Sequence, residues 1–356
     1  MRLENNLRKK RILKKLFVFF TVFLTMSVIF TVTAFADPIK PLEKVADGEQ
    51  PWGWPMDGIY ESIRYMVFSL VKWMMEGSFG LMDTASSYAT SELTQTPSDY
   101  GTSGAAIFNV VEAVSKNVIL PIATIILTYI VIYELITMVM EKNNFHDFDT
   151  SVFFRWIVKT TVGIYFLTNS STIINAFFDL GSKMASDLTA TVDAGLETGG
   201  TFDSIVNVFV DSVKTFGIGT FISMLIPCLL IMLVSLVIYV AIYVIVISRM
   251  IEIYLHISVA PIPMATITNR EFGESGKNFL KIIFAFVLQA FFMLLCISIF
   301  KVLVYNVAAT IGQGCETETF VWDITKQLFE TIAFGICLVL CMFKSNSLAK
   351  SILGAH

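Results

Sequence analysis

Residues Ser248–Lys281 read S-R-M-I-E-I-Y-L-H-I-S-V-A-P-I-P-M-A-T-I-T-N-R-E-F-G-E-S-G-K-N-F-L-K. Two runs without any Asp, Glu, Lys, Arg or His flank this stretch: Thr215–Ser248 and Ile282–Phe300. Pro261 and Pro263 prevent one straight helix from running through its apolar part. The pattern therefore predicts that residues 250–268 form a re-entrant or in-plane segment, which meets the membrane, bends at the prolines and leaves by a charged loop on the same side.

The composition is typical of a polytopic membrane protein. Of the 356 residues 55% are hydrophobic and only 15% are charged, whereas about a quarter of a soluble domain is charged. The charges cluster and leave long apolar gaps, which predicts an all-α membrane helix bundle. A net charge of −4 provides no overall positive field of the kind that attracts nucleic acid.

We predict five crossings of the cytoplasmic membrane, with the mature N-terminus outside and the C-terminus in the cytoplasm. The predicted spans are Val118–Met140, Phe153–Phe178, 215–248, 279–305 and 327–343. The second span is the weakest, because its middle reads T-N-S-S-T. With this topology most Lys and Arg residues of the connecting segments lie inside, as the positive-inside rule requires. If residues 250–268 also crossed, Arg270 and Lys277 would move outside.

The first residues have the features of a secretory signal. A basic start precedes the apolar run Leu16–Val32, and A-F-A at 34–36 fits the cleavage rule. We therefore predict a signal peptide over 1–36, with an uncleaved first anchor as the alternative. The remaining divisions are an extracytoplasmic segment, the membrane bundle and a cytoplasmic tail: 37–117, 118–344 and 345–356.

Within the extracytoplasmic segment, an amphipathic helix of roughly 20–30 residues is predicted to begin at Asp57. One interpretation lays this helix in the outer membrane interface, where Trp52, Trp54 and Trp73 would act as anchors. The other makes it an ordinary helix packed on the external face of the bundle. Residues 91–106, which read S-E-L-T-Q-T-P-S-D-Y-G-T-S-G-A-A, are predicted to be a polar linker.

Three sequence stretches carry a resemblance to a known family. They are V-A-P-I-P-M-A at 259–265, N-R-E-F-G-E-S-G-K-N-F-L-K at 269–281 and F-A-F-V-L-Q-A-F at 284–291. Together they resemble the polytopic TrbL-like inner-membrane subunit of conjugative type IV secretion systems, above all the branch carried by mobile elements of Firmicutes. The resemblance is sharpest over Arg249–Phe300. It implies a non-enzymatic channel or platform subunit that assists transfer of single-stranded DNA with its attached protein.

Ionisable and polar residues at membrane depth are the first candidates for function, because such groups are costly there and face a partner or water. Glu134 and Lys159 either line a hydrated path or form a structural pair. Glu252 and His256 are i, i+4 neighbours that could face one cavity. Gln289 is the single amide inside its apolar run, and we expect it to make an interhelical hydrogen bond.

The proline bend and the loop after it form the second group of candidates. Pro261 and Pro263 leave main-chain carbonyls without an i+4 donor, and these could contact a substrate or a neighbouring helix. The charged loop that follows is predicted to be a cytoplasmic docking site for soluble or ATPase partners, with an ordinary positive-inside loop as the alternative: Arg270, Glu271, Glu274, Lys277 and Lys281.

The sequence offers no enzymatic or cofactor motif. G-E-S-G-K at 273–277 fails as a phosphate loop, because it lacks the first glycine and the final Ser or Thr. The histidines and cysteines lack metal-ligand spacing. We expect no catalytic residue, cofactor or metal. The expected partners are other secretion subunits including ATPases, further copies of the chain, membrane lipids and transient single-stranded DNA. The alternatives are a stand-alone small-solute or ion transporter and a purely structural scaffold.

Overall fold

Every regular element among the described residues of the computed structural model is a helix. The described residues are 57–100, 104–141, 150–195, 206–207, 209–210, 218–312 and 320–355; the predicted signal peptide, Trp52 and Trp54 lie outside them. The helices are α1 Asp57–Thr94, α2 Gly104–Val114, α3 Leu120–Glu141, α4 Thr150–Thr168, α5 Ser170–Gly195, α6 Ile218–Val259, α7 Pro261–Thr266, α8 Gly273–Gly312 and α9 Phe320–Leu353. A π-helical turn, Ser115–Ile119, joins α2 to α3. The predicted all-α class is confirmed.

Four helical stretches of the described residues are long and apolar enough to cross a membrane: Ala105–Met140, Ile218–Val259, Gly273–Val307 and Trp322–Leu353. The 42 residues of α6 extend about 63 Å at 1.5 Å per residue, roughly twice the thickness of a hydrocarbon core. Helix α6 is therefore long enough to cross a bilayer with turns to spare. The count of five crossings is not confirmed, because the predicted span Phe153–Phe178 is not among the four.

Asn169 separates α4 from α5 where the polar T-N-S-S-T run was expected to weaken the span. The interruption is slight, since the amide of Asn169 still donates to the Tyr165 carbonyl and the amide of Ile173 to the Asn169 carbonyl, both at 3.0 Å. Arg155 and Lys159 add charge to the same stretch. The polar break and these two cations together lower its apolar character.

The pair α4–α5 nevertheless carries the chain back along the bundle. Midway along α3, the Val131 carbonyl accepts a hydrogen bond from Trp156 Nε1 of α4 at 3.2 Å. A Cβ added at Gly163, later in α4, would lie 3.3 Å from Leu127, earlier in α3, so these two helices are antiparallel. Further along, a Cβ added at Gly181 of α5 would lie 2.7 Å from the side chain of Val287, well inside α8, so α5 continues along α8.

Several segments predicted to be loops are helical. Helix α1 has 38 residues and takes in the first part of the predicted linker 91–106. Helix α5 continues to Gly195, into a stretch expected to be an external loop. Helix α9 continues to Leu353, so most of the predicted tail 345–356 is its last turns. Hydropathy detects only the part of a helix that is apolar, and polar turns extend each of these helices beyond it.

The segment 250–268 also differs from its prediction. Helix α6 is continuous to Val259, so residues 250–259 are its final turns and not a separate segment that enters the membrane. Pro261 then occupies the first turn of the short helix α7, a position where its fixed φ is favourable and its missing N–H costs nothing. The prolines therefore begin a new helix as well as ending the old one.

The helices form two compact units. Unit 1 comprises residues up to Thr84 with Thr198–Tyr239 and Lys301–Ile336; unit 2 comprises Ala85–Glu197, Val240–Phe300 and Cys337–His356. In unit 1 the rings of Phe68 and Phe221 meet edge to face at 5.5 Å, and Gly77 approaches Met232. The first half of α1 therefore packs on α6, while Met66 and Trp73 remain exposed.

The core of unit 2 is a cluster of buried apolar side chains from α2, α5, α6, α7 and α8, with Ile174, Ile253, Ile257, Ile283 and Phe286 fully covered. Contacts also bring the helix ends of this unit to one side. Tyr133 meets Phe272, just before α8, with ring centroids 5.7 Å apart. Lys281, in the first turns of α8, reaches Gly354 at the end of α9. The C-terminal ends of α3, α6 and α9 therefore lie beside the start of α8.

Candidate functional site

The short helix α7 is enclosed by other helices of unit 2. It packs between α3 and α4 and also touches α5 and the π-helical turn. Ala260, Met264 and Ala265 are completely buried, and Ala265 packs with Ala123 and Leu127 of α3. Ile262 and Pro263 are half-buried. This part of the chain is thus a packed insert between helices, and its exposure to a substrate is limited to one side.

Glycine makes this close packing feasible. A Cβ added at Gly276, in the first turn of α8, would lie 2.5 Å from the Pro263 carbonyl oxygen and 3.0 Å from Ile267. A Cβ at Gly163 of α4 would lie 3.0 Å from the hydroxyl of Thr268. Real side-chain atoms do not approach as closely as the 2.5 Å at Gly276, so α8 packs against the proline segment there only because the residue lacks a side chain, whereas at Gly163 the Thr268 side chain would have to shift by a few tenths of an ångström.

The carbonyl groups that the prolines were expected to free are partly satisfied. The Ile257 carbonyl, whose i+4 residue is Pro261, accepts the amide of Ala260 at 3.3 Å. The Pro263 carbonyl accepts the Thr266 hydroxyl at 2.8 Å. A tighter i+3 bond and a local side chain thus replace the missing donors. The expectation that these two carbonyl groups lack a donor and are free to contact a substrate is therefore wrong.

Glu134 and Lys159 form an ion pair between α3 and α4, with Lys159 Nζ 2.5 Å from Glu134 Oε1. Lys159 is 47% exposed at its side chain and Glu134 only 17%. Because the pair joins neighbouring antiparallel helices, each charge has a partner and neither points alone into an apolar region. Of the two interpretations offered by the sequence, the geometry matches the structural pair.

Glu252 and His256 lie on one side of α6 but face different neighbours. Glu252 Oε2 accepts a hydrogen bond from Asn346 Nδ2 of α9 at 3.4 Å. His256 Nδ1 lies 2.8 Å from the Glu252 main-chain oxygen, and its ring stands edge to face on Phe286 with centroids 4.9 Å apart. Both residues are half-buried. They connect α6 to α8 and α9.

Gln289 is buried, but the expected interhelical hydrogen bond is not formed. Its Oε1 atom has no hydrogen-bond partner within the described part of the chain. The sequence singled out Gln289 because it is the single amide in an apolar run. Such a group is costly to bury, but the sequence cannot show which group it would bond to. Gln289 is therefore an unsatisfied polar group in the core of unit 2.

Arg249 is the functional candidate that the sequence did not single out. It is only 5% exposed, and its Nη2 donates to the Phe286 carbonyl at 3.1 Å while Nη1 lies 3.6 Å from Met250 Sδ. Its Nε has no partner, and no carboxylate pairs with it among the described residues. Its position at the end of an uncharged run suggested an ordinary loop cation. Its burial becomes visible only in the structure, in which this turn of α6 packs against α8.

A group of tyrosines lies where α1 and the turn after it meet α6, on a different face of that helix from Arg249, which is about 140° from Tyr254 at 100° per residue. Tyr88 stacks on Tyr243 with centroids 3.8 Å apart, and its hydroxyl is 3.4 Å from that of Tyr100. Burial, followed by this contact with Tyr88, raises the pKa of Tyr100, so its hydroxyl stays neutral. We call Tyr88, Tyr100, Tyr254 and Arg249 the tyrosine–arginine cluster.

The turn after α1 closes this cluster. The Tyr254 hydroxyl donates to the carbonyl of buried Pro97 at 2.8 Å, and the Ser182 hydroxyl of α5 donates to the Thr94 carbonyl. Thr96 and Asp99 bind each other across the turn at 2.7 Å. Residues 95–100 were predicted to be a solvated linker. They form instead a compact turn tied to α5 and to Tyr254 near the C-terminal end of α6, which conflicts with a prediction that places residues 37–117 outside and this end of α6 in the cytoplasm.

The predicted docking loop is exposed as expected for a surface segment. Arg270, Glu271, Glu274, Lys277 and Lys281 all have exposed side chains. The loop is ordered by Asn269, whose buried Oδ1 accepts the amides of Glu271 and Phe272 at 2.8 and 3.0 Å. Arg270 and Glu271 are thus presented from a turn held by one asparagine, whereas Glu274, Lys277 and Lys281 lie on the first turns of α8, so only the start of the predicted loop is a loop.

The described residues contain no group of three or more His, Cys, Asp or Glu side chains placed to hold a metal ion. Cys337 and Cys341 of α9 approach each other at 4.0 Å between their sulfurs and are free thiols. Exposed apolar cysteines of this kind fill space on a helix surface.

Comparison with known protein families identifies the family to which this chain belongs. Residues 82–261 match the model described as TrbL/VirB6 plasmid conjugal transfer like protein, which is just over half of the chain. The chain belongs to this TrbL/VirB6 family. The matched residues include the tyrosine–arginine cluster, Glu134, Lys159 and Pro261, whereas the charged loop lies beyond them. The chain is therefore a multi-pass membrane protein associated with conjugal transfer and type IV secretion, and works with other components of such a system.

The other two comparisons give no relative. No curated protein and no solved structure matches the chain. The family match thus carries the functional assignment, together with the helical architecture.

Proposed function

We propose that this chain is a non-enzymatic inner-membrane subunit of a conjugative type IV secretion system, and that it helps single-stranded DNA with its attached protein to cross the cytoplasmic membrane. The family match over residues 82–261 carries this proposal. The four apolar helices support a location within the bilayer. Energy for transport comes from a separate ATPase, because the sequence has no intact phosphate loop.

The proposed topology has five crossings, an external N-terminus and a cytoplasmic C-terminus. In this topology α4–α5 makes the second crossing as a helix interrupted at Asn169. The antiparallel packing of α4 on α3 supports it, as does the grouping of the ends of α3, α6 and α9 near the basic start of α8. The positive-inside rule then puts Arg270 and Lys277 in the cytoplasm.

Within this function the tyrosine–arginine cluster is the proposed contact for the transferred strand. A buried cation without a carboxylate partner suits a phosphate group, and stacked phenol rings suit unpaired bases. The deep burial of Arg249 requires the turn 95–100 to move before a strand can reach it. The predicted path residues of α7 are less suited, because most of that helix is enclosed.

The first experiment tests the class of function. Deletion of the gene should abolish transfer of the mobile element in mating, and the full-length gene supplied in trans should restore it. Transfer that continues at the normal frequency, with altered uptake of a small solute, would identify a stand-alone transporter instead.

A second experiment distinguishes a subunit that contacts DNA from a structural scaffold. The scaffold is the other candidate because α7 is enclosed by its neighbours. A photo-crosslinking amino acid placed at Tyr100 should capture the transferred strand during mating, and the same group at exposed Tyr129 serves as the control. Efficient transfer without any crosslink at position 100 would support the scaffold.

A third experiment tests the orientation. A cysteine in place of Glu274, introduced into a variant without native cysteines, should react with a membrane-impermeant maleimide only after the cells are opened. Labelling in intact cells would contradict the proposed topology and remove the charged loop as a cytoplasmic docking site for ATPase partners.

A further inference from the structure

Helix α1, with the turn that follows it, runs beside α6 and in the same direction. Contacts between the two follow the same order along both: Phe68 with Phe221, Gly77 with Met232, Tyr88 with Tyr243 and Pro97 with Tyr254. The first two contacts lie within unit 1 and the last two within unit 2. From residue 221 to residue 254 helix α6 extends about 50 Å, which exceeds a hydrocarbon core of about 30 Å. Whichever part of α6 lies in a bilayer, α1 therefore lies beside most of that part.

Helix α3 also runs in the direction of α6. Only Ala260 separates α7 from α6, and its backbone is helical, so α7 continues the course of α6. Ala123 of α3 packs beside Ala265 of α7, and further along α3 the ring of Tyr133 meets that of Phe272. Helices α1 and α3 therefore share one direction along the chain of contacts with α6 and α7.

Helices α1 and α3 cannot both cross the membrane, because two successive crossings run in opposite directions. The chain between them has no segment that could return to the first side. Residues 95–100 form a compact turn, and the step from Tyr100 to Gly104 reaches at most about 14 Å. Helix α2 then continues into α3 through the π-helical turn. Only one of the two helices therefore makes the first crossing.

The position of α2 favours α1 as that helix. Phe108 of α2 packs in the same buried cluster as Tyr254 and Ile257, near the C-terminal end of α6. Helix α2 thus begins on the side of the membrane to which α6 leads, and α3 continues from there towards Phe272. Although α3 is the more apolar helix, it packs on α7, which lies beyond the charge-free run 215–248 of α6.

We propose that α1, and not α3, makes the first crossing, so that the turn 95–100 lies on the same side of the membrane as the charged loop. The other four crossings, the external N-terminus and the cytoplasmic C-terminus stay as in the proposed topology. This crossing removes the conflict between the turn and the predicted extracytoplasmic segment 37–117.

Charge conceals this crossing from hydropathy. Helix α1 carries Lys72, Glu76 and Asp83, and it is not among the four apolar stretches of the described residues. Ionisable side chains occur at membrane depth where they pair with one another or face water. Lys72 and Glu76 pair at 3.6 Å, and exposed Asp83 requires water or a polar group beside it. The exposed side chains that follow, Thr84 and Ser87, are polar as well, so the second half of α1 presents a polar face inside the membrane.

The test compares two positions of the full chain in intact and in opened cells. Asp99→Cys and Glu274→Cys are each introduced into a variant without native cysteines and treated with a membrane-impermeant maleimide; both side chains are exposed. We expect both cysteines to react only after the cells are opened, because both positions lie in the cytoplasm. Lys326→Cys, at an exposed position near the start of α9, is the control and should react in intact cells.

Reaction at position 99 in intact cells, with position 274 still protected, overturns the proposal and leaves α3 as the first crossing. Reaction of both positions in intact cells contradicts the proposed orientation but supports the crossing by α1, so the two failures are distinguishable. If Asp99→Cys reacts in neither state, a site-specific protease provides the second measurement. The enzyme made in the cytoplasm should cut a recognition sequence inserted after Asp99, and cleavage by externally added enzyme alone excludes the crossing.

Discussion

Arg249 donates from Nη2 to the main-chain carbonyl of Phe286 at 3.1 Å, and this bond links a buried cation on α6 to the backbone of α8. The same Phe286 receives Lys350 over its ring and His256 against its edge. A single phenylalanine thus lies at the centre of three basic groups. The arrangement explains how unit 2 accommodates positive charge without a matching carboxylate beside it.

Replacing Arg249 should separate stability from function. The Arg249→Met variant keeps the volume and removes a buried charge, so we expect equal or higher thermal stability in detergent, by up to about 4 kcal/mol. DNA transfer in mating should fall at least tenfold if the guanidinium contacts the strand. Arg155→Met, which removes an exposed arginine, should leave both unchanged. Normal transfer with Arg249→Met would exclude a role for this cation.

The pair Glu134–Lys159 should show coupling in a double-mutant cycle. Each single change, Glu134→Gln or Lys159→Gln, leaves the other charge without its partner, whereas the double variant leaves none. We expect the double variant to be more stable than the sum of the single effects by about 1 kcal/mol, from thermal unfolding in detergent. Strict additivity would contradict a structural role for the pair.

Gly276 and Gly80 offer a matched comparison of glycine substitutions. Gly276→Ala places a Cβ against the backbone of the proline segment, and we expect a loss of about 1–3 kcal/mol in unfolding free energy with a lower yield of monodisperse protein. Gly80 is exposed within α1 and has no atom within 4 Å of an added Cβ. Gly80→Ala should be neutral or stabilising by about 0.5–1 kcal/mol. If both substitutions changed the unfolding free energy equally, the close contact at Gly276 would make no contribution to stability.

Glu92 should make stability depend on pH. Burial raises its pKa, so the native chain holds this proton more tightly than the unfolded chain does. The contribution of Glu92 to stability is therefore greatest in acid and falls as the pH rises through the unfolded and then the folded pKa. As the pH rises from acid to neutral, the wild type should lose more thermal stability than Glu92→Gln. Glu76→Gln, at an exposed pair with Lys72, should not reproduce this difference.

The sequence predicted the helices well where charge is absent and poorly where it is present. The uncharged runs around Leu225 and Leu294 mark α6 and α8, and Pro261 marks the end of α6. The ends of α5 and α9 were wrong because Asp, Ser and Lys continue a helix once packing holds it. An apolar window reports where a helix is hydrophobic, and not where its hydrogen bonding stops.

The candidate site was predictable only in part. The i, i+4 spacing of Glu252 and His256 put them on one side of α6, and antiparallel neighbours at similar depth brought Glu134 to Lys159. Arg249 was missed because its partner is a main-chain carbonyl, which carries no signature in the sequence. The partnership between Tyr254 and Pro97 was missed for the same reason. Gln289 was found, but its isolation could not indicate that its oxygen would be left unpaired.

The enclosed helix α7 has a mechanical consequence. Its burial between α3 and α4 and the backbone contact at Gly276 leave no slack for it to swing aside. The proline segment is therefore held rigidly between its neighbours and does not open as a mobile loop would. A conformational change of this chain is therefore expected to move other helices and to leave α7 in place.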